Sequence, residues 1–158
     1  MERTILEVFK QFLPNEEVVS VIPFSTGHIN DTYAVKTIKQ QYVLQAINTT
    51  VFPQPKHIIA NKVRVSEAFN STQTPYEFIR LKAATTGAYY VVSNEKFWAL
   101  MHFINGQTYE LTQNTKLAFE AGKLYGHFLK VLCNEPVANY HVILPNFHDL
   151  SYRYNTFE

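Results

Sequence analysis

Apolar residues recur at helical spacing near the start of the chain, and β-branched and aromatic residues dominate the stretches that follow. The first pattern predicts a helix over residues 4–13, ending at Pro14. The next stretches predict three strands, at Val18–Ile22, Thr32–Ile38 and Tyr42–Ile47. Because only short turns join them, we expect these strands to pair antiparallel.

Two proline residues, Pro53 and Pro55, break the extended pattern and open a second helix, which ends at residues 70–72. Its core-facing stripe contains Ile58, Asn61, Val65 and Phe69. Three further strands are predicted, the last two as a hairpin around residues 93–96: Phe78–Lys82, Tyr89–Val92 and Phe97–Phe103.

The pattern changes again after residues 104–106. An amphipathic helix is predicted over Leu117–Leu132 and is closed by Pro136. Gly122 and Gly126 lie within it, and because glycine weakens a helix we expect another segment to pack closely there. The order of elements predicts an α+β fold: a five-stranded antiparallel sheet with a packed helix, an extra N-terminal helix and the start of a helical lobe.

Composition narrows the function classes. A formal charge of +1 gives no broad electrostatic reason to bind nucleic acid or an anionic membrane. The N-terminus carries charges inside its apolar stretch, which is not typical of a signal peptide, and no apolar run predicts a membrane span. The single cysteine, Cys133, cannot form an internal disulfide, so we expect a cytoplasmic protein in which Cys133 is a small buried apolar residue.

The loop over residues 25–31 separates two strands and is rich in small residues. Such a loop leaves backbone N–H groups open to an anion such as a phosphate. It contains one glycine, Gly27, which is a weak signal for a phosphate loop. A plain hairpin turn also explains the small residues. From this loop alone the hairpin turn is the better interpretation.

The residues around the loop add a resemblance to a known family. Residues 27–35 resemble the G-x-x-N-x-x-Y-x-V stretch of the aminoglycoside phosphotransferase and choline kinase superfamily, which has a protein-kinase-like fold. Residues 42–52, 103–106 and 145–149 are similar to the N-acetylhexosamine 1-kinase group. The resemblance covers the N-terminal half of that family, which implies a nucleotide-binding lobe over residues 1–104 and a linker with the start of a second lobe over residues 105–158.

The resemblance also implies a set of nucleotide-binding residues. The loop residues would cover the phosphates, and the end of the last strand would act as a hinge for the base: Gly27, His28, Ile29 and Asn30, then Met101, His102, Phe103 and Ile104. The hinge stretch fits a buried edge strand about as well. Gln45 would stand where many relatives carry a phosphate-gripping Lys or Arg, although a solvent-facing strand residue is an equal alternative. Asn61, in preference to Glu67, would orient Gln45. The alternative for Asn61 is a buried amide that is hydrogen-bonded to the backbone.

Chemistry in this superfamily requires an Asp that accepts the substrate proton and an Asp that binds Mg²⁺. The sequence contains two Asp residues, Asp31 and Asp149, and neither belongs to an H-x-D motif. The resemblance therefore implies that the catalytic and Mg²⁺-binding residues lie beyond Glu158, so that the chain is truncated and inactive alone. The intact protein would phosphorylate a sugar or amino alcohol using ATP or GTP. The alternative is a non-catalytic module that self-associates through exposed apolar surface.

Overall fold

The helices and strands follow the predicted order closely. The computed structural model describes residues 2–24, 27, 29–109 and 111–157. In chain order the elements are α1 (Glu2–Phe12), β1 (Val18–Pro23), β2 (Asp31–Thr37), β3 (Gln41–Ile47), α2 (Pro55–Asn70), β4 (Leu81–Lys82), β5 (Val91–Ser93), β6 (Lys96–His102), α3 (Thr115–Leu132), a 3₁₀ turn (Val137–Asn139) and α4 (Leu150–Phe157).

All the strands of the described residues belong to one sheet, and every pairing is antiparallel. The order is β1-β2-β3-β6-β4, and β5 also pairs with β6. Strands β4 and β5 share one edge of β6, since β4 pairs with its last residues and β5 with its first. The α+β class and the antiparallel sheet are confirmed, with six strands in the described sheet rather than five.

Alternating side chains of the central strands bury both faces of the sheet. On one face Tyr42 and Leu44 of β3 pack against α1, where the rings of Phe9 and Tyr42 meet edge to face with centroids 5.7 Å apart. On the other face Ile47 of β3 and Ala99 of β6 pack with Ile59 of α2. The two helices therefore cover opposite faces of the sheet, and successive side chains of β3 from Tyr42 to Ile47 face α1 and α2 in alternation.

Strand β4 is shorter than the predicted Phe78–Lys82. The ring of Phe78 stacks on Phe69 of α2 with centroids 4.4 Å apart, and it also lies beside Phe128 of α3. Aromatic stacking against two helices keeps this segment out of the sheet, so only Leu81 and Lys82 pair with β6.

The contacts of α3 differ from the prediction at its two glycines. It meets α2 through His127 and Phe128, which lie beside Phe69. A Cβ added at Gly122 or Gly126 would meet no heavy atom of the described residues within 4 Å, so the close packing predicted at these glycines is wrong for this part of the chain.

The prediction that Cys133 is buried is also wrong, because it is exposed. It forms the C-cap of α3 rather than part of the face that packs on α2, and its Sγ donates to the Lys130 carbonyl at 3.1 Å. Among the described helices, α3 included, none has the length and apolar character required to cross a bilayer.

Removing the Phe9 ring should test the docking of α1 on the sheet. Phe9 is fully buried, so Phe9→Ala should lower the free energy of unfolding by about 3–5 kcal/mol, measured by urea denaturation. Phe119→Ala is the control, because Phe119 is 69% exposed on α3 and its loss should change stability by no more than about 0.5 kcal/mol. Equal effects of the two substitutions would mean that α1 does not contribute to the core.

Candidate functional site

A cavity of about 440 Å³ opens on the α2 face of the sheet, where the end of β6 leads into residues 103–108. This volume lies within the range of about 300–1,000 Å³ found for small-molecule sites. Its walls come from β3, α2, β6 and the segments beside them, and the lining residues are Phe24, Val43, Gln45, Lys62, Ile79, Met101, His102, Phe103, Ile104, Gly106, Gln107 and Thr108. The structure thus brings together Gln45 and all four predicted hinge residues.

The backbone at the end of β6 changes from paired to free within this wall. The His102 N–H donates to the Arg80 carbonyl at 3.0 Å, and the Phe103 N–H donates to the Gln41 carbonyl at 3.3 Å. The Ile104 N–H donates to none of the described residues. Ile104 is therefore the first position after β6 at which the backbone can offer a hydrogen bond to a bound molecule.

The side chains around this backbone are mainly apolar. Val43 and Met101 are Cα partners across the β3–β6 ladder and both line the cavity. The rings of Phe24 and Phe103 stack with centroids 6.3 Å apart and planes 13° apart, joining the end of β1 to the segment after β6. Such walls favour a flat apolar group whose polar edge reaches the free backbone.

Among the polar side chains of the lining, Gln45 and Lys62 contact each other. The Gln45 Nε2 donates to the Thr32 Oγ1 at 3.1 Å, and the Lys62 Nζ donates to the Gln45 Oε1 at 3.4 Å. The Lys62 Nζ also lies 4.0 Å from the Met101 Sδ. Burial lowers the pKa of Lys62, because the charged form loses its hydration there.

Lys62 takes the place beside Gln45 that the sequence analysis gave to Asn61. The Asn61 side chain instead exchanges two hydrogen bonds of 2.9 Å with the backbone of His141, its Nδ2 donating and its Oδ1 accepting. Lys62 was not predicted, because it lies off the stripe formed by Ile58, Asn61, Val65 and Phe69. Its spacing of three residues from the buried Ile59 was the available signal, since that spacing places a residue on the same side of a helix.

The predicted phosphate loop lies beside the cavity, and its described residues do not line it. The Asn48 N–H donates to the Asn30 Oδ1 at 2.9 Å, and the Asn48 Nδ2 donates to the Ile29 carbonyl at 3.1 Å, which ties the loop to the end of β3. Gly27 is exposed, and a Cβ added to it would meet only the Asn30 carbonyl oxygen, at 3.8 Å. His28, with residues 25 and 26, lies outside the described residues.

Both Asp residues have local partners. Asp31 forms an ion pair with Lys96 at 2.7 Å, and the Asp149 Oδ1 accepts from the Tyr152 N–H at the start of α4. No three His, Cys, Asp or Glu side chains come together in the described part of the chain. The described lining of the cavity also contains no carboxylate, so these residues do not fit a Mg²⁺ site there.

The fold can be compared with that of a solved structure. The fold is similar to that of spectinomycin phosphotransferase APH(9)-Ia. The match has a TM-score of 0.50 at 12% sequence identity and covers 88% of this chain but 41% of that one, whose structure was solved in complex with ADP and spectinomycin. No family model matches the sequence. At this identity the likeness establishes the fold alone, that of the N-terminal part of a kinase-like phosphotransferase.

His102, one of the predicted hinge residues, is a titratable residue in the cavity wall. Its ring lies on Tyr42 with centroids 5.8 Å apart. Its pKa is lowered, first by burial and then by the positive charges of Lys82 and Arg80. The neutral imidazole is therefore the form that the folded chain favours.

Stability should consequently depend on pH through His102. As the pH falls below about 6.5, the usual pKa of His, the unfolded chain takes up a proton before the folded chain does, so the free energy of unfolding should decrease. His102→Phe retains an aromatic ring against Tyr42 and should flatten this decrease. Urea denaturation between pH 5 and 8 measures both profiles, and parallel profiles for the two proteins would contradict the lowered pKa.

Proposed function

We propose that this chain is the nucleotide-binding part of a small-molecule kinase and that the cavity binds the nucleoside of ATP or GTP. The observation that carries the proposal is the free Ile104 N–H at the edge of an apolar cavity directly after β6. A purine presents a hydrogen-bonding edge and two apolar faces, which match this wall. The fold it shares with a phosphotransferase solved with ADP supports the same assignment.

The base would lie between the apolar walls, with Val43 and Met101 on the side of the sheet and the Phe24–Phe103 pair next to it. Its polar edge would accept from the Ile104 N–H. The sugar and phosphates would then extend toward Gln45 and Lys62, where the lining becomes polar. A contact of the phosphates with the loop of Gly27, Ile29 and Asn30 stays a prediction, because these described residues do not line the cavity.

For the intact protein we propose transfer of the ATP γ-phosphate to a hydroxyl of a sugar, an N-acetylhexosamine in the first place, or of an amino alcohol. The support is the resemblance of residues 27–35 and 42–52 to enzymes with that activity. The 158-residue chain is expected to bind nucleotide without turnover, since its two Asp residues are engaged with Lys96 and with the start of α4. Phosphorylation of any sugar by this chain would contradict that expectation.

A second candidate is a non-catalytic module that associates with a second copy of itself. The described part of α3 contains no buried residue, and large apolar side chains are exposed on it, among them Phe119, Leu124, Tyr125 and Leu129. Sedimentation velocity over a range of concentrations discriminates the two candidates when combined with nucleotide titration. A concentration-dependent dimer that does not bind nucleotide would favour the second.

Filling the cavity should weaken nucleotide binding. Val43 is half-buried in the wall, so Val43→Trp should place an indole where the base would lie and lower the ADP affinity at least about tenfold, measured by isothermal titration calorimetry. Val19→Trp is the matched control, because Val19 is 59% exposed on β1 and does not line the cavity.

The result is decisive only if both variants fold, which circular dichroism and urea denaturation establish. Equal ADP affinity in the wild-type and Val43→Trp chains would place the nucleotide elsewhere. The absence of any heat of binding to the wild-type chain, at concentrations up to the millimolar range, would reject the proposed function itself.

A further inference from the structure

Lys62 is unusual among the lysines of this chain in its surroundings. Lysine side chains are rarely removed from water without a partner, because the ammonium ion loses its hydration. The Lys62 side chain is half-buried in the cavity wall, and burial lowers its pKa. Its ammonium has three donors, and among the described residues it makes two long contacts, to the Gln45 Oε1 at 3.4 Å and to the weak acceptor Met101 Sδ at 4.0 Å.

A carboxylate would be the ordinary partner for such a charge. Four ion pairs form among the described residues, and Lys62 belongs to none of them: they are Arg3–Glu7, Lys39–Glu16, Lys96–Asp31 and Lys123–Glu120. Its protein contacts are the amide oxygen of Gln45 and the thioether of Met101. The positive charge of Lys62 therefore faces a cavity whose described lining contains no carboxylate.

We propose that Lys62 is the phosphate-binding cation of this cavity, so that α2 supplies the positive charge that β3 lacks at Gln45. This inference rests on the proposed function and deepens it, because it states where the phosphates of the nucleotide bind. An anion at Lys62 would replace the hydration that burial removes and would form charge-assisted hydrogen bonds.

Gln45 has a positioning role in this arrangement. Its Nε2 donates to the Thr32 Oγ1 at 3.1 Å, which leaves the Oε1 directed at Lys62. The neutral amide thus holds the ammonium group near β3. The charge that contacts the phosphate is that of Lys62. This order is the reverse of the expected one, in which a helix residue orients a phosphate-gripping side chain on the third strand.

The rest of the cavity favours a nucleotide over a free phosphate. Lys62 is the one Lys or Arg in the described lining, and the remaining walls are mainly apolar. A free phosphate would leave those walls in contact with water, whereas a nucleotide covers them with its base. We therefore expect adenosine to bind by its base alone, and ADP to bind more tightly through its diphosphate and Lys62.

Paired titrations with ADP and adenosine test the proposal. Lys62→Met should lower the ADP affinity by about tenfold or more, because a hydrogen bond to a charged group is lost, and should leave the adenosine affinity within about twofold. Lys62→Arg should retain most of the ADP affinity. The matched control is Lys56→Met, since Lys56 lies on the same helix with its Nζ 5.7 Å from the Tyr90 ring centroid, outside the cavity lining.

The outcomes of these titrations distinguish a failure of the proposed role of Lys62 from a failure of the proposed function. Unchanged ADP affinity in Lys62→Met, or equal losses of ADP and adenosine, would overturn the role of Lys62 and leave the nucleotide pocket standing. If the wild-type chain binds neither ligand, the proposed function fails and this inference fails with it. Should Lys62→Met fold poorly, Lys62→Gln removes the same charge with a polar side chain and is judged by the same comparison.

A charge exchange provides an independent test. In the double variant Gln45→Lys, Lys62→Gln the cation returns to β3 and the amide moves to α2. ADP affinity should recover relative to Lys62→Gln alone, because the exchanged groups were 3.4 Å apart and face the same cavity. No recovery, in a double variant that folds as the wild type does, would mean that the contribution of Lys62 is not its charge at this position.

Discussion

The central strands β3 and β6 are covered by a helix on each face, and this constraint determines which of their side chains can line the cavity. Side chains alternate along β3, so Tyr42 and Leu44 pack under α1 while their neighbours face α2. On the α2 face, Ile47 and Ala99 lie beneath the helix. The next residues along that face, Gln45 and the Val43–Met101 pair, border the cavity. The site is therefore the continuation of a core face beyond the part that α2 fills.

The transition from core to cavity also determines the electrostatics. Ile59 is buried against the sheet, and Lys62, one turn further along α2, lies between this core cluster and the cavity that it lines. A lysine at such a boundary can bury its aliphatic part against the strands while its ammonium reaches the open space. The lining of the cavity thus receives a positive charge from α2 at the border of the core.

Much of this architecture was predictable from the chain, because helical periodicity and β-branched stretches mark elements strongly. The limits of β4 were not, since the stacking of Phe78 on Phe69 is a contact between distant segments. The exposure of Cys133 and the open space at Gly122 among the described residues were also not predicted. Helical spacing shows which residues share a face of a helix, but it does not show whether another segment packs on that face. At the site, the family resemblance pointed to the stretch at the end of β6 that lines the cavity, whereas the partner of Gln45 depended on the orientation of α2 against the sheet.

The paired hydrogen bonds between Asn61 and the backbone of His141 join residues far apart in sequence. The stacked rings of His57 and His141, with centroids 4.0 Å apart, add a second attachment to the same helix. Asn61 and Lys62 are consecutive in α2, so their Cα atoms cannot separate. A displacement of the segment around His141 that kept these attachments would act on the turn of α2 that also carries Lys62. The C-terminal segment and the cavity are thereby connected through α2.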